Sequence, residues 1–369
     1  MKHDWEYKKL GEVCEVYQPK TLSSSEMIED GKYFVYGANG IIGKYDKYNH
    51  EESEVLLTCR GATCGTINVS EPFSWINGNA MVVHPEKDVI CQSFLKYYLS
   101  SYDMSLVITG AAQPQITRQS LNPVPIPLPP LSTQQSIVSE LDSLSKIIAD
   151  CKETLKDYDA LEQSIFYDMF GDPVKNDKGW EVKKLGDCCS ELKYGTSRPA
   201  CENGQYKYLR MGNLTLDGHL DLTDLKTIDI PDDEIDKCIV KYGDILFNRT
   251  NSMELIGKTC MFDLEEPMVI AGYIIRVRLL DTLNPRFLSI MFNLPSLKLR
   301  LKSMAKGAVN QANINSKELA SIRVILPHLP LQQTFASKIE AIEQMKEEMK
   351  KALQEAETLF QARMDYWFN

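Results

Sequence analysis

Apolar residues recur at steps of three and four along two long stretches of this chain. The positions in the first stretch are Ile137, Leu141, Leu144, Ile147, Cys151, Leu155, Tyr158 and Leu161, and those in the second are Phe335, Ile339, Ile342, Met345, Met349, Leu353, Ala356 and Leu359. Such steps place apolar side chains on one narrow face of a helix, which is the pattern of helices that pair along their length. Proline-rich segments at 123–130 and 327–330 precede both stretches and fix where each helix begins. The pattern predicts paired helices at 131–170 and 329–369.

Between these stretches, short apolar runs alternate with turn residues. Four runs have the length and the Gly, Asn or Pro boundaries of β-strands, and they are Glu54–Thr58, Ala80–Val83, Asp244–Phe247 and Tyr273–Leu280. The predicted fold class is α+β, with mixed α/β modules at 1–130 and 171–328, each followed by one of the long helices.

The chain also repeats itself. The segment Trp5–Cys14 recurs as Trp180–Cys189, at an offset of 175 residues. Further on, the offset is 198 residues, and it aligns Gln113, Ile116, Leu121, Pro129, Leu131, Gln134 and Gln135 with Gln311, Ile314, Leu319, Pro327, Leu329, Gln332 and Gln333. The sequence therefore predicts a pseudo-two-fold internal repeat. The second copy is 23 residues longer, and the modules between the shared landmarks have diverged.

Length and charge narrow the class of protein. The 369 residues suffice for two domains. No apolar run approaches the roughly 20 residues that cross a bilayer, and the charged start Met1–Leu10 predicts no secretory signal, so we expect a cytoplasmic protein without membrane contact. The net charge of -10 argues against a protein that coats nucleic acid unaided. Non-specific DNA affinity comes from Lys and Arg side chains that neutralise phosphates. Any DNA contact must be local or shared with a partner.

No motif indicates chemistry. The ten cysteines and five histidines lack the spacing of metal ligands, so no bound metal is predicted. A methyltransferase would carry an Asn-Pro-Pro-Tyr or Asp-Pro-Pro-Tyr loop, and the sequence contains neither. The segment Gly257-Lys258-Thr259 is a fragment of a phosphate-binding loop without its leading glycine. We predict no catalytic residue, no cofactor and no enzyme activity for the chain itself.

The shared landmarks resemble those of the specificity subunits of type I restriction-modification systems, over the whole chain. The most specific pieces are Trp-Glu-x-Lys-Lys-Leu-Gly at the start of both copies, Pro-Pro-Leu-Ser-Thr-Gln-Gln entering the first long helix, and Phe166–Pro173 leaving it. The resemblance implies that each module is a target-recognition domain for one half of a split DNA sequence. It also implies that the two shared helices form an antiparallel coiled coil that acts as a ruler, and that the subunit has no active site.

The resemblance implies partners as well. These are double-stranded DNA, two adenine-specific methyltransferase (modification) subunits and, for cleavage, restriction subunits with a translocase motor, and the partner subunits would use S-adenosylmethionine, ATP and Mg²⁺. A helix over 132–169 would be about 57 Å long at roughly 1.5 Å per residue, which can hold two modules more than one turn of DNA apart. Since the modules differ in sequence and length, we expect an asymmetric target.

Base recognition needs side chains with paired donors or acceptors, chiefly Arg for guanine and Asn or Gln for adenine. The candidates in the first module are Asn39, Lys44, Arg60, Gln113, Gln115 and Arg118, and those in the second are Arg198, Arg210, Asn213, Asn248, Arg249, Asn251, Lys258, Asn310, Gln311 and Asn313. The strongest are Arg60, which follows an apolar strand and precedes Gly61, and the cluster at 248–252. Each candidate could instead be a solvated loop residue, and the segments at 113–115 and 310–313 could be a shared structural turn.

Two further alternatives stay open. Trp5 and Trp180 fit core or capping aromatics better than base-stacking platforms, because each opens a module with a repeated apolar pattern. The whole chain could also be a coiled-coil adaptor that binds proteins without DNA readout. The dependence of binding on salt concentration distinguishes the two functions. DNA binding weakens steeply as the salt concentration rises, whereas protein binding through an apolar seam does not.

Overall fold

The computed structural model of the protein describes residues 4–37, 39–110, 113–308 and 311–369, and for 306–308 and 311 it describes the backbone only. The chain divides into two compact units: unit 1 is Met1–Lys152 with Lys351–Asn369, and unit 2 is Glu153–Lys350. Each unit therefore contains one module, the first part of the long helix that follows it, and the last part of the other long helix.

Unit 1 is a mixed module of small sheets and short helices. Its strands are β1 (Glu6–Lys9), β2 (Cys14–Tyr17), β3 (Tyr33–Gly37), β4 (Gly40–Tyr45), β5 (Val55–Thr58), β6 (Ile67–Val69), β7 (Trp75–Ile76), β8 (Ala80–Pro85) and β9 (Pro125–Leu128). Its helices are α1 (Leu10–Val13), α2 (Gln92–Ser101), α3 (Arg118–Leu121) and the beginning of α4 (Leu131–Phe170). The sheets are ordered β2-β8-β5-β6, β4-β3-β7 and β1-β9. The strands predicted at 54–58 and 80–83 are confirmed as β5 and β8.

Unit 2 is built in the same manner. Its strands are β10 (Val182–Lys184), β11 (Cys189–Tyr194), β12 (Tyr206–Leu209), β13 (Lys226–Ile228), β14 (Ile239–Val240), β15 (Ile245–Asn248), β16 (Thr250–Asn251), β17 (Thr259–Met261), β18 (Met268–Ile270), β19 (Ile274–Leu279), β20 (Lys306–Ala308), β21 (Gln311–Asn313) and β22 (Arg323–Ile325). Its helices are α5 (Asp232–Cys238), α6 (Pro285–Asn293), α7 (Pro295–Met304), α8 (Ser316–Ala320) and the beginning of α9 (Leu329–Phe368). The strands predicted at 244–247 and 273–280 are confirmed as β15 and β19. Among the described helices, none is long and apolar enough to span a membrane.

The strand order confirms the internal repeat. The sheet β2-β8-β5-β6 of unit 1 has the order of β11-β19-β15-β17 in unit 2. In both units one strand pairs with a parallel neighbour, β3 with β7 and β12 with β18. Part of the extra length of the second copy forms α5 and β14, and β14 extends the sheet β13-β12-β18. The scaffold therefore repeats, while insertions change its edges.

A buried glutamine fastens the first long helix to its own module. The side chain of Gln134 is fully buried near the beginning of α4. It donates to the carbonyls of Val89 and Pro129 at 3.0 and 2.9 Å, and it accepts from the amide of Cys91 at 2.8 Å. Because Cys91 precedes α2, this one side chain joins the starts of two helices.

Gln332, which the repeat relates to Gln134, has the same role in unit 2. It is fully buried and donates to the carbonyls of Thr282 at 3.2 Å and Pro327 at 2.7 Å. It accepts from the amide of Asn284, which precedes α6, at 2.8 Å. One hydrogen-bond network thus explains why both copies carry glutamine here.

The long helices run antiparallel in unit 1. Near the end of α9, Arg363 and Trp367 donate to Glu140 early in α4, with Trp367 Nε1 at 3.0 Å. Lys152, later in α4, pairs with Glu357, earlier in α9, at 2.7 Å. Because the contacts advance along one helix as they retreat along the other, the two segments are antiparallel.

Unit 2 contains a second antiparallel segment. Phe335 of α9 packs against Phe166 and Phe170 at the end of α4, with ring centroids 5.5 and 5.3 Å apart. Further along α9, Lys346 pairs with Glu162 at 3.0 Å, and Glu162 lies earlier in α4. The repeat therefore includes the pairing of the helices within each unit.

The end of each long helix packs on the module of the other copy. Phe368 lies edge-on against Phe94 in unit 1, with centroids 5.4 Å apart, and Phe170 lies edge-on against Phe287 in unit 2, at 4.8 Å. The offset of 198 residues relates Phe170 to Phe368. These aromatic residues thus have equivalent packing roles.

The repeated tryptophans lie at these helix ends. Trp5 stacks on Trp367 with centroids 6.2 Å apart, and Trp180 Nε1 donates to the carbonyl of Phe170 at 2.9 Å. Trp5 therefore packs against the end of α9, and Trp180 caps the end of α4.

The structure places two predicted pairing residues, Leu161 and Leu359, outside the buried seam. Their side chains are 42% and 50% exposed. The seam positions are one residue further along each helix: Glu162 in α4 is buried, and Phe360 in α9 is half-buried. The prediction of a pairing role for Leu161 and Leu359 is therefore wrong.

The same shift of one residue occurs at the related turns of the helices. Ile147 and Met345 are exposed, whereas Ile148 is half-buried and Lys346 is buried. Lys346 is accepted in the seam because its charge is neutralised by Glu162 and by Asp159 at 2.5 Å, which a search for apolar positions cannot detect. The other predicted pairing residues are buried or half-buried, and they are Ile137, Leu141, Leu144, Leu155, Phe335, Ile339, Ile342 and Leu353.

Candidate nucleic-acid interface

In unit 1, the chain leaving β5 meets the segment that precedes α3. Arg60 forms an isolated antiparallel bridge with Gln115, and Gly61 donates to the carbonyl of Pro114 at 3.3 Å. Both Arg60 and Gln115 are exposed, and residues opposite each other in such a bridge project to the same face. The described part of the chain places no carboxylate within ion-pair distance of Arg60. Two candidates that are far apart in sequence therefore lie side by side at the surface.

The other candidates of the first module are exposed, but no described contact joins them to this pair. Asn39 lies in the turn between β3 and β4, and Lys44 lies on β4 with its Nζ 5.8 Å from the ring centroid of Phe34. Gln113 precedes the bridge, and Arg118 is the first residue of α3. Their contact with DNA stays a prediction.

In unit 2, Arg249 follows β15 and rests on an aromatic ring. Its guanidinium carbon lies 4.9 Å from the ring centroid of Tyr194, the last residue of β11. The Tyr194 hydroxyl donates to Ser316 Oγ at 2.9 Å and accepts from the Ser316 amide at 2.8 Å. The backbone of Arg249 is held as well, because its amide donates to Tyr273 and its carbonyl accepts from Ile314, both at 2.9 Å. The guanidinium is therefore supported on one face by a ring that is itself fixed.

Unsatisfied polar atoms surround this arginine. Arg249 Nε, Asn248 Nδ2 and Thr250 Oγ1 are buried and have no hydrogen-bond partner among the described residues. In the same part of the chain, no carboxylate lies within ion-pair distance of Arg249. Buried polar groups without a partner are uncommon in folded proteins, and three consecutive residues contribute one each here. The cluster at 248–250 is thus a part of unit 2 with unused hydrogen-bonding capacity.

Asn313 lies beside this cluster. It pairs with Thr250 where β21 meets β16. The side-chain Oδ1 of Asn251 accepts from the Ser252 amide at 2.9 Å. Lys258 is half-buried, and its carbonyl accepts from the Asn248 amide at 2.9 Å. Asn310 lies outside the described residues, and only the backbone of Gln311 is described.

Four candidates of the second module are engaged within the fold. Arg198 is bound by Glu234 at 3.0 and 2.7 Å, and Arg210 by the carboxylate of Asp224 at 2.6 Å. Asn213 is 3% exposed and accepts from the Arg210 amide at 2.8 Å, and Asn248 is fully buried. These contacts do not favour base recognition by the four residues, because carboxylates bind the two arginines and the two asparagines are buried, and their contact with DNA stays a prediction.

Arg60 and Arg249 follow equivalent strands, but their positions after the strand end differ by one residue. Arg60 lies two residues beyond the end of β5, and Arg249 lies one residue beyond the end of β15, the equivalent strand. The residue equivalent to Arg249 is Cys59, whose carbonyl accepts from the Ile116 amide as that of Arg249 does from Ile314. The Cys59 side chain is buried and accepts a hydrogen bond from Gln18 at 3.1 Å. Each module thus presents its arginine from a different position.

Two features of the modules are not indicated by the sequence patterns. Tyr194 is one, because the residue that it supports, Arg249, follows a different strand. The other is a buried carboxylate at one place in both sheets: Glu54 lies 2.9 Å from His84 in unit 1, and Asp244 lies 2.7 Å from Arg278 in unit 2. Burial raises the pKa of Glu54, against the opposing effect of His84.

Among the described residues, no group of His, Cys, Asp or Glu is arranged to hold a metal ion. The polar side chains of Arg60, Gln115 and the cluster at 248–251 are instead amides, hydroxyls and guanidinium groups, which form hydrogen bonds with bases and phosphates.

The chain is thus an internally duplicated fold whose two modules share a strand order and carry different polar residues after equivalent strands. A family model described as the type I restriction modification DNA specificity domain matches residues 2–157 and 177–358. Since these ranges cover most of the chain, the chain belongs to that family.

Known relatives agree with this assignment. The chain is 25% identical over 326 residues to the EcoKI type I restriction enzyme specificity subunit of Escherichia coli K12, an alignment that covers 83% of this chain and 66% of the relative. It is 23% identical over 387 residues to the MjaVIII specificity subunit of Methanocaldococcus jannaschii, covering 96% and 89%. The crystal structure of a type I restriction-modification S subunit from M. genitalium has the same fold, with a TM-score of 0.65 at 15% identity over 98% of this chain and 95% of that one.

Proposed function

We propose that this chain is the DNA-recognition subunit of a type I restriction-modification complex and that it reads a bipartite, asymmetric target. The observation that carries the proposal is the placement of Arg60 and Arg249 after equivalent strands of the repeated sheet, each without a carboxylate partner among the described residues. The adaptor alternative is not favoured, because the family is one of DNA specificity domains.

The asymmetry of the target follows from the differences between the modules. Arg60 is paired with Gln115 in unit 1, whereas Arg249 is stacked on Tyr194 in unit 2. Side chains of different type and position contact different base edges. We therefore expect two half-sites of different sequence.

Methylation mapping tests this proposal. The chain is co-expressed with its methyltransferase partner, and adenine methylation is mapped over the host genome by single-molecule sequencing. We expect a split motif with unlike halves that disappears when this chain is omitted. A complex that assembles but methylates without sequence preference contradicts DNA recognition, and a palindromic motif contradicts the asymmetry.

The long helices offer surfaces for partner subunits. Ile147 and Leu359 are exposed in unit 1, and Leu161 and Met345 are exposed in unit 2. The offset of 198 residues relates the two pairs, so equivalent apolar residues are exposed once in each unit. Exposed apolar patches on helices mark protein-binding surfaces. This equivalence supports binding of two copies of one partner, the methyltransferase subunit.

Stoichiometry tests the partner proposal. In the variant Ile147→Lys with Leu359→Lys, we expect the mass of the complex to fall from two methyltransferase subunits to one, because one of two equivalent surfaces is lost. The matched variant Ser143→Lys adds a charge at an exposed position of the same helix and should keep both subunits. Retention of two subunits by the double variant would exclude this surface.

The chemistry would belong to the partners. The proposal assigns S-adenosylmethionine-dependent methylation to methyltransferase subunits, and translocation and cleavage with ATP and Mg²⁺ to restriction subunits. This chain would contribute binding and positioning, without a catalytic residue or cofactor of its own.

A further inference from the structure

The guanidinium of Arg249 rests on an aromatic ring that is itself held in place. It lies over the Tyr194 ring, and the Tyr194 hydroxyl is fixed by two hydrogen bonds to Ser316. A guanidinium stacked on an aromatic face keeps its plane, and a fixed plane favours two-point recognition. A phosphate contact does not need this support, since the flexible point charge of a lysine suffices for it.

The surroundings leave this guanidinium available for a ligand. Arg198, Arg210 and Arg278 of the same unit are each bound by a carboxylate at 2.6–2.7 Å. Arg249 has no such partner among the described residues. Arginine matches guanine, which offers O6 and N7 as two acceptors on its major-groove edge.

We propose that Arg249, supported by Tyr194, reads a guanine in the half-site of the second module. This inference rests on the proposed function of the chain as a DNA-recognition subunit. The equivalent residue of the first module is Cys59, which offers no such donor, so the guanine requirement at this point belongs to one half-site only.

The test uses the assembled complex of the full chain with its methyltransferase subunits. Methylation is mapped for the wild type and for Arg249→Lys, and binding is measured with duplexes that carry the wild-type motif or one changed base pair. For Arg249→Lys we expect binding to the wild-type motif to weaken about 5- to 150-fold, with a relaxed guanine position in one half-site. The other half-site should not change.

Two further variants separate base recognition from folding. Tyr194→Phe keeps the ring but loses the bonds to Ser316, and it should weaken the guanine preference less than Tyr194→Ala does. Arg198→Gln removes an arginine that Glu234 already binds, and it should leave the motif unchanged. Assembly with the partner and the thermal midpoint are recorded for every variant, so that a misfolded protein is recognised.

Three outcomes decide between the hypotheses. An unchanged motif in Arg249→Lys overturns the inference, and so does an equal loss of binding to all sequences, which would indicate a phosphate contact. A wild-type motif without guanine in either half-site overturns it as well. A wild-type complex without any split motif contradicts the proposed function itself.

Discussion

At the scale of single residues, carboxylate partners distinguish arginines that look alike in the sequence. Arg198 and Arg210 look like Arg60 and Arg249 in the sequence, because all four lie in polar segments. In the structure the first two are bound by Glu234 and Asp224, and the last two have no acidic partner among the described residues. Partners 36 and 14 residues away in sequence cannot be inferred from local pattern.

The buried glutamines allow a prediction with matched controls. We expect Gln134→Leu and Gln332→Leu to lower the free energy of unfolding by about 1–3 kcal/mol for each buried backbone group left unpaired. The neighbouring Gln135→Leu and Gln333→Leu are exposed substitutions and should stay within about 0.5 kcal/mol of wild type. Urea unfolding measures all four, and equal effects in both pairs would contradict the network.

At the scale of elements, the two antiparallel helix pairs have different kinds of residue at equivalent positions of their seams. Unit 2 has the buried ion pair of Lys346 and Glu162, with side chains 6% and 8% exposed, and unit 1 has Ile148 and Phe360 at the related positions. A buried ion pair costs desolvation that its own attraction only partly offsets, whereas a single remaining charge is strongly unfavourable.

A pair of substitutions tests this seam. Lys346→Ile alone leaves Glu162 buried without its partner and should destabilise unit 2 by about 3–5 kcal/mol. Adding Glu162→Phe transfers the apolar pair of unit 1 into unit 2, and stability should return to the wild-type value or exceed it. Chemical unfolding of the wild type, both single variants and the double variant gives the coupling energy between positions 346 and 162. Additive effects of the two substitutions on stability would contradict the proposed ion pair.

The helix pair of unit 1 predicts a dependence on pH. The hydrogen bond from Arg363, with a further one from Trp367, lowers the pKa of Glu140. Because the folded pKa lies below the unfolded value, the interaction stabilises the fold at neutral pH and is lost as the pH falls through the folded pKa. The stability difference between wild type and Glu140→Gln should therefore shrink from about pH 7 to about pH 2, as unfolding curves at several pH values will show. A constant difference would be the contrary result.

At the scale of the whole molecule, a net charge of -10 must coexist with DNA binding. Local groups such as Arg60, Arg118 and Lys44 are exposed in unit 1, and partner subunits can contribute further positive charge. Affinity and sequence preference then depend on different side chains, because phosphate contacts position the protein and base contacts specify the sequence.

Salt dependence distinguishes these contributions. For the assembled complex, we expect the logarithm of the DNA association constant to fall linearly with the logarithm of salt concentration. If Lys44 and Arg118 contact phosphates, Lys44→Gln and Arg118→Gln should each reduce the slope by about 1 and leave the motif intact. Arg60→Gln should instead alter the motif in the first half-site. A changed motif in the first two variants, or an unchanged motif in the third, would reverse these assignments.

The sequence by itself determined the duplication, the two long helices, the principal strands and the family, because these depend on periodicity and on repeated landmarks. Tertiary structure decided the rest. In the structure Glu162, and not Leu161, lies in the buried seam. Its charge is tolerated there because the opposite charge of Lys346 lies beside it. The tertiary structure also joined Arg60 to Gln115 and placed Arg249 on Tyr194, because the packing of strands and loops brings together residues that no local pattern connects.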